Sequence, residues 1–271
     1  MKIRQVRVAF DIKKFGEKLK KKCNLEEYAD RYEPAFFYGC YREEDIHALL
    51  DHKGIAVLIW GGSDATITPH LEKLKSLVRS RINPVYHIAP SSFIEKGLQE
   101  AGISYKRCNI FPGDESMFSP VPLGNKVYMY ASHTREDRKK FYGLNHIHIL
   151  QKLLPGTEFI EGFSSPLTFP YESMVEVYKE CGVGVRLVPH DAGSCTVVEL
   201  ALMGRRCVWN GHFPGAIHYR SLEDVALAII EELKHAGTVN EALSLQAKKA
   251  ISDTSWLYTD TYISSEPAGR V

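Results

Sequence analysis

The residues Val183-Gly-Val-Arg-Leu-Val-Pro-His-Asp-Ala-Gly-Ser-Cys-Thr-Val-Val-Glu-Leu-Ala-Leu-Met-Gly-Arg-Arg-Cys-Val208 decide how this chain folds. The apolar run around Arg186 reads as a buried strand. A polar loop follows from Pro189 to Ser194, then a helix that stops at Gly204, and Arg206 to Trp209 reads as the next strand. Two acids, Asp191 in the loop and Glu199 in the helix, are separated by seven residues. Between them Ala192, Gly193, Ser194 and Cys195 sit at the helix N-terminus, where free backbone N–H groups and the helix dipole favour an anion. An acid, an anion-binding helix start and a second acid at a strand end suit a phosphorylated, hydroxyl-rich ligand. A nucleotide sugar fits that description.

Working outward, apolar strand-like runs occupy 6–10, 36–41, 55–60, 85–89 and 107–111, with amphipathic segments at 43–50 and 70–79. A second series of strands, 126–131, 159–161, 183–188 and 207–209, alternates with helical patterns at 146–153, 171–181, 196–203 and 221–233. Ser221 and Asp224 before an apolar run read as a capping box with Asp in the usual Glu position. Strands alternating with helices imply parallel sheets covered on both faces. The fold class is therefore α/β, with two Rossmann-like domains facing a cleft, 1–120 and 121–271. The aromatic tail 255–262 is expected to pack back across the domains. In such sheets ligands bind at the C-terminal ends of the strands.

A second group of residues lies at the junction. Pro84-Val-Tyr-His-Ile-Ala-Pro-Ser-Ser precedes a helix ending near Gly102-Ile103, and Arg107-Cys-Asn-Ile-Phe-Pro-Gly-Asp-Glu-Ser-Met-Phe-Ser-Pro120 follows. With Asp191 and Glu199, this order resembles the GT-B glycosyltransferases, the retaining family 4 enzymes in particular. Pro112-Gly113-Asp114 and Phe118-Ser119-Pro120 stand where the family has its interdomain junction. Asp191 is a departure, since the family has Glu there. The resemblance implies a glycosyltransferase that moves a sugar from a nucleotide-diphosphate donor to a glycan, lipid or small-molecule acceptor with retention; no cofactor is expected, and the lack of a DxD motif or clustered His/Asp/Glu ligands leads to the expectation of no catalytic metal. It implies that Glu199 accepts hydrogen bonds from the donor ribose and that Asp191 lies near the transferred sugar. Gly193, Ser194, Cys195 and Thr196 would offer amides to the sugar or diphosphate, with Arg135 and Lys140 as phosphate cations and Arg138 or Lys139 in reserve.

Several residues carry two readings. Arg186, a guanidinium in an apolar strand, needs a partner: a carboxylate such as Asp191, or the donor diphosphate in bidentate geometry. Asp64, after Trp60-Gly61-Gly62-Ser63, either meets an acceptor hydroxyl with Gly62 beside it or caps a tight turn. His87, mid-strand among apolar neighbours, reads as a core histidine. Residues 13–22 hold six Lys and one Glu. They form a solvated helix face or a weak contact with an anionic membrane surface.

Composition narrows the classes. The chain of 271 residues carries 34 basic and 33 acidic side chains, net +1, which gives no global field for nucleic acid. Its six Cys show no CxxC pair, so they read as reduced thiols, not a zinc site or disulfide framework. No DxD motif or His/Asp/Glu ligand cluster is evident. The N-terminus lacks an apolar signal core, and a soluble, cytoplasmic protein is expected. A non-catalytic nucleotide-sugar or carbohydrate-binding protein, or a sugar-nucleotide epimerase, remains as an alternative.

Overall fold

The computed structural model describes residues 1–66, 72, 74, 76, 84–131, 136–163 and 169–263, the side chains of Phe163 and Ile263 excepted. The helix expected at 70–79 falls largely outside the described residues. The chain divides into two units: Met1–Gly113 with Ser252–Val271, and Asp114–Ile251.

Unit 1 is built on β1 (Gln5–Val8), β2 (Glu26–Glu27), β3 (Ala35–Tyr38), β4 (Ala56–Ile59), β5 (Val85–Ala89) and β6 (Lys106–Arg107). They form one sheet in the order β2-β1-β3-β4-β5-β6, with every pairing parallel. β3 and β4 are buried almost throughout, as expected of central strands covered on both faces. The segment from Ser252 onward belongs here, not with unit 2. Ile3 donates its amide to Leu257 O (2.8 Å), Trp256 meets Phe36 edge-on at 5.4 Å, and Tyr262 lies 5.3 Å from Tyr86.

Unit 2 contains β7 (Lys126–Ala131), β8 (Phe159–Phe163), β9 (Cys181–Val185), β10 (Arg206–Val208) and β11 (Ala216–Ile217). Their order is β11-β10-β9-β7-β8, again all parallel. β9 lies on the opposite side of β7 from β8, so the strand order reverses at the β7/β9 pair. The two faces of these strands do different work. Val127, Met129, Ala131, Val183 and Val185 enter one apolar core with Ile147, Leu150, Val225 and Ile229 from the helices Leu144–Leu153 and Leu222–Leu233. Burying each such aliphatic side chain is worth about 1.5–3 kcal/mol. Tyr128, Tyr130, Gly184 and Arg186 alternate to the other face. A Cβ at Gly184 would overlap Leu200, so glycine lets the helix Cys195–Leu202 lie directly on the strand.

The unit boundary falls after Gly113, ahead of the expected boundary after Pro120. The reason is packing: Phe118 is fully buried, with its ring 6.3 Å from Tyr171 and 6.4 Å from Tyr178 of unit 2. Other expected bounds also shift. The helix over 171–181 is a 3-10 turn (Tyr171–Ser173) and a helix (Met174–Lys179), because Cys181 already starts β9. The strand over 107–111 reduces to the short edge strand β6. The short strands β2 and β11 and the helix Glu241–Ile251 were not anticipated. The Ser221–Asp224 capping box is formed, with Asp224 N donating to Ser221 Oγ at 3.2 Å and Ser221 N to Asp224 Oδ2 at 3.1 Å.

Arg205 is fully buried. Its Nε donates to Tyr178 O (2.8 Å) and Cys181 O (3.1 Å). Nη1 donates to Val121 O (3.2 Å) and Met203 O, and Nη2 to Pro122 O (2.8 Å) and Lys179 O (3.4 Å). Burial pulls its pKa down to about 10, still charged at neutral pH. Tyr178 and Lys179 close one helix and Met203 caps another, so the cation meets the negative ends of two helices. Replacing Arg205 by Ala is expected to cost about 3–5 kcal/mol, since several carbonyls lose a donor together, Cys181 O keeping only the Gly124 amide at 3.1 Å. Denaturant unfolding of the variant measures this; a loss below about 1 kcal/mol would show that the carbonyls find other donors.

His87 is a core histidine. Trp60 Nε1 donates to its Nδ1 at 3.3 Å, with the rings stacked 5.8 Å apart. Burial pushes its pKa down to about 4 from 6.5. The unfolded chain therefore takes up a proton in this range that the native state refuses. The stability at stake is complete above pH 6.5 and is lost as pH falls toward 4. The loss at pH 4.5 is roughly 2–3 kcal/mol. Comparing urea midpoints of wild type and His87→Phe at pH 7 and 4.5 tests this, because the variant should lack that part of the acid sensitivity. Parallel pH profiles for the two proteins would contradict it.

Candidate functional site

The candidate residues gather at the C-terminal end of β9. Arg186 directly follows the strand and continues its ladder, its amide donating to Val208 O at 3.0 Å. Its side chain is about one-tenth exposed. Nε donates to Asp191 Oδ2 at 2.5 Å, and both members of the pair are largely shielded from water. The guanidinium carbon lies 4.7 Å from the Tyr130 ring centroid and 5.6 Å from that of Tyr142. Burial works against the charge, but the adjacent Asp191 carboxylate outweighs it and holds the pKa above the ordinary arginine range. Of the two sequence readings of Arg186, the carboxylate partner is the one this structure forms. Its carboxylate partner is Asp191, bonded through Nε, and the fork of Nη1 and Nη2 extends beyond that bond.

The loop after Asp191 turns through Gly193, whose φ of 119° lies in the left-handed region. Ser194 then caps the helix Cys195–Leu202, its Oγ accepting from Val197 N at 3.3 Å. Cys195 and Thr196 occupy the first two helical positions, whose amides have no acceptor within the helix. Arg186, Asp191, Gly193, Ser194, Cys195 and Thr196 thus share the strand end and helix start where the sheet order reverses, the position at which open α/β sheets hold ligands.

Glu199 lies one turn further in and is only 4% exposed. Its Oε2 accepts from the Tyr178 hydroxyl at 2.9 Å. Tyr128, Tyr171 and Tyr178 all surround this carboxylate. Burial, reinforced by the Glu199 charge, pushes each phenol above its usual range. Tyr128 is held edge-on to Tyr178 at 5.0 Å, and a Cβ at Gly162 would overlap the Tyr128 hydroxyl.

The remaining sequence candidates are placed differently. Arg135 lies outside the described residues. Lys140 is exposed on the helix Glu136–Phe141, and Lys139 pairs with Glu136 at 2.6 Å. Arg138 is the member of that segment connected to the site, its guanidinium carbon 5.5 Å from the same Tyr142 ring that Arg186 faces. Asp64 belongs to unit 1 and is fully buried. Its carboxylate accepts from the amides of Cys40 (3.0 Å), Gly61 (3.1 Å) and Gly62 (2.7 Å). That is the turn-capping reading. The acceptor-hydroxyl contact is closed off because the carboxylate has no exposed surface. Gly62, at φ 148°, gives the turn its shape. No grouping of three or more His, Cys, Asp or Glu suited to a metal ion occurs among the described residues.

Sequence reasoning did not reach Tyr130, Tyr142, Tyr128, Tyr178 or Arg205. One signal was present: Tyr128 and Tyr130, two residues apart on a buried parallel strand, put phenols on one face where aliphatic side chains are usual.

No family model matches the chain, and no curated protein does so either. Solved structures do match. Sucrose-phosphate synthase from Thermosynechococcus elongatus superposes with a TM-score of 0.62 at 10% identity, covering 92% of this chain and 77% of that one. A chain of the complex of accessory secretory proteins 1, 2 and 3 from Streptococcus pneumoniae gives 0.50 at 12% identity, covering 85% of this chain. This chain spans about half of that one, 53%. At these identities the likeness is one of fold: two parallel sheets with helices, the α/β architecture of the GT-B glycosyltransferases.

Proposed function

We propose that the chain is a glycosyltransferase that takes a sugar from a nucleotide-diphosphate donor and passes it to an acceptor hydroxyl, with retention and without metal. The observation that carries this reading is the Arg186–Asp191 pair, buried at the end of β9 beside the capped N-terminus of Cys195–Leu202. A donor diphosphate placed there would receive the two terminal nitrogens of Arg186 and the amides after Gly193. Negative charge grows on the diphosphate as the glycosidic bond breaks, and fixed donors in a shielded site stabilise that charge without reorganising. The departing phosphate oxygen takes the acceptor proton, so no strong protein base is needed. Asp191 positions Arg186 and sits near the sugar. Glu199, held by Tyr178, receives the ribose hydroxyls. Arg138 adds a second cation through the shared Tyr142 ring, alongside Arg135 and Lys140. The fold neighbours support the class of protein, and the Arg186–Asp191 pair with the adjoining helix start supports the donor.

A binding-only reading draws on one specific observation. Glu199 is buried and already accepts from Tyr178, and Asp191 is engaged by Arg186, so both acids of the motif have protein partners. Turnover separates the two readings. The purified protein is screened by thermal shift against uridine, guanosine, adenosine and thymidine diphosphate sugars, and the stabilising donor is then followed for hydrolysis or transfer. At a donor concentration of 100 Kd the native state gains about 2.7 kcal/mol. Arg186→Gln is expected to lower kcat about 100-fold or more, as loss of a donor aimed at developing charge does. Glu199→Gln is expected to weaken donor binding. Stabilisation without any product would establish the binding protein, and no stabilisation by any donor would remove both readings.

A further inference from the structure

We propose that His212 and His218 form a site for zinc or a similar divalent cation that prefers imidazole ligands. His212 lies in the loop after β10, and His218 directly follows β11. Both are exposed, and their rings meet at 5.4 Å between centroids with an interplanar angle of 66°. A ligating imidazole nitrogen lies about 2.0–2.1 Å from zinc, which puts the ring centre about 3.2 Å from the metal. Two rings that share one tetrahedral ion therefore have centroids about 5.2 Å apart. The observed separation matches that spacing, and rotation of two exposed side chains suffices to turn both nitrogens to one ion.

Hydrogen bonding fixes which nitrogen of His218 is available. Its Nε2 lies 3.0 Å from Gly211 O. A carbonyl only accepts, so Nε2 carries the proton and the neutral ring keeps its lone pair on Nδ1. A backbone carbonyl on the other ring nitrogen is the ordinary partner of a metal-ligating histidine. Gly211 is buried, and a Cβ there would overlap the Trp209 ring. His212 makes no hydrogen bond to the described residues, so either of its nitrogens can serve. The loop between the two rings is closed by its own backbone. Cys207 N donates to Gly215 O (2.9 Å), Trp209 N to Ile217 O (2.9 Å) and Ala216 N to Phe213 O (3.0 Å). Asn210 Oδ1 accepts from Tyr219 N at 2.9 Å. Ligands held at a set spacing lose less freedom on binding.

Two nitrogens are fewer than a closed structural zinc site uses, so water fills the other positions and the ion exchanges. Magnesium and calcium, which take oxygen ligands, do not suit the pair. A bound ion would clamp the connection between β10 and β11. Val208, at the end of β10, accepts the amide of Arg186, so the clamp lies on the strand next to that residue. The site does not rest on the glycosyltransferase reading, and the sugar transfer proposed above does not use the ion.

The test needs no sugar donor, so its result is independent of that reading. The full chain, without an affinity tag, is dialysed against EDTA and then metal-free buffer, and titrated calorimetrically with zinc chloride and with magnesium chloride. One equivalent of zinc is expected at this site and no magnesium. H212Q/H218Q should weaken that equivalent about 100-fold, since loss of a ligand costs at least as much as loss of its outer hydrogen bond. Glutamine at 218 retains an N–H for Gly211 O. Equal unfolding midpoints in EDTA show that the variant is folded; if it is not, H212Q alone, whose ring has no such bond to lose, replaces it and is expected to bind at least about tenfold more weakly. No zinc binding by the wild type, magnesium binding as tight as zinc, or zinc affinity unchanged in the variant would overturn the proposal.

Discussion

Arg205 is the constraint on which unit 2 depends. One guanidinium gathers carbonyls from the segment entering the unit (Val121, Pro122), from the end of one helix (Tyr178, Lys179), from the start of β9 (Cys181) and from the cap of a second helix (Met203). Carbonyls buried without donors would each cost of order 1–3 kcal/mol. A planar donor fork answers several at once, and no lysine or amide has that geometry. The residue therefore fixes the spacing between the helices Met174–Lys179 and Cys195–Leu202. Tyr178 and Glu199, which meet at 2.9 Å, sit on those two helices. A structural cation thus sets the geometry of the site without belonging to it.

The separation of core from site follows from strand alternation. On β7 and β9 one face is aliphatic and closes the apolar core. The other carries tyrosines, glycines and Arg186. Glycine at 184 brings the helix Cys195–Leu202 against the sheet, which sets the Ser194-capped helix start at the end of the same strand. Arg186 is then shielded by tyrosine faces and neutralised by Asp191. A shielded cation of this kind is held in a fixed position by its carboxylate partner and the adjoining rings.

Much of this was legible in the sequence. The alternation of apolar runs with amphipathic segments gave the two parallel sheets. The Ser221–Asp224 pair gave its capping box, and the apolar run broken by one charge gave Arg186. What the sequence concealed was non-local. Arg205 stands next to Arg206 with nothing local to distinguish them, yet one is buried among carbonyls while the other reaches Glu232 at 2.9 Å. Asp64 looked available because glycines precede it, but those glycines direct their amides onto it. Short edge strands such as β2 and β11 are too brief to leave a period. Tyr130 and Tyr142 meet ring to ring at 5.4 Å, a contact that no local sequence period announces.

A structure of the protein with a bound nucleoside diphosphate is the decisive measurement for the role of Arg186. The diphosphate is expected against the terminal nitrogens of Arg186 and the amides of Cys195 and Thr196, with the Arg186–Asp191 bond intact. A diphosphate bound elsewhere, with Arg186 enclosed by Asp191 and the tyrosines and touching no ligand, would contradict it.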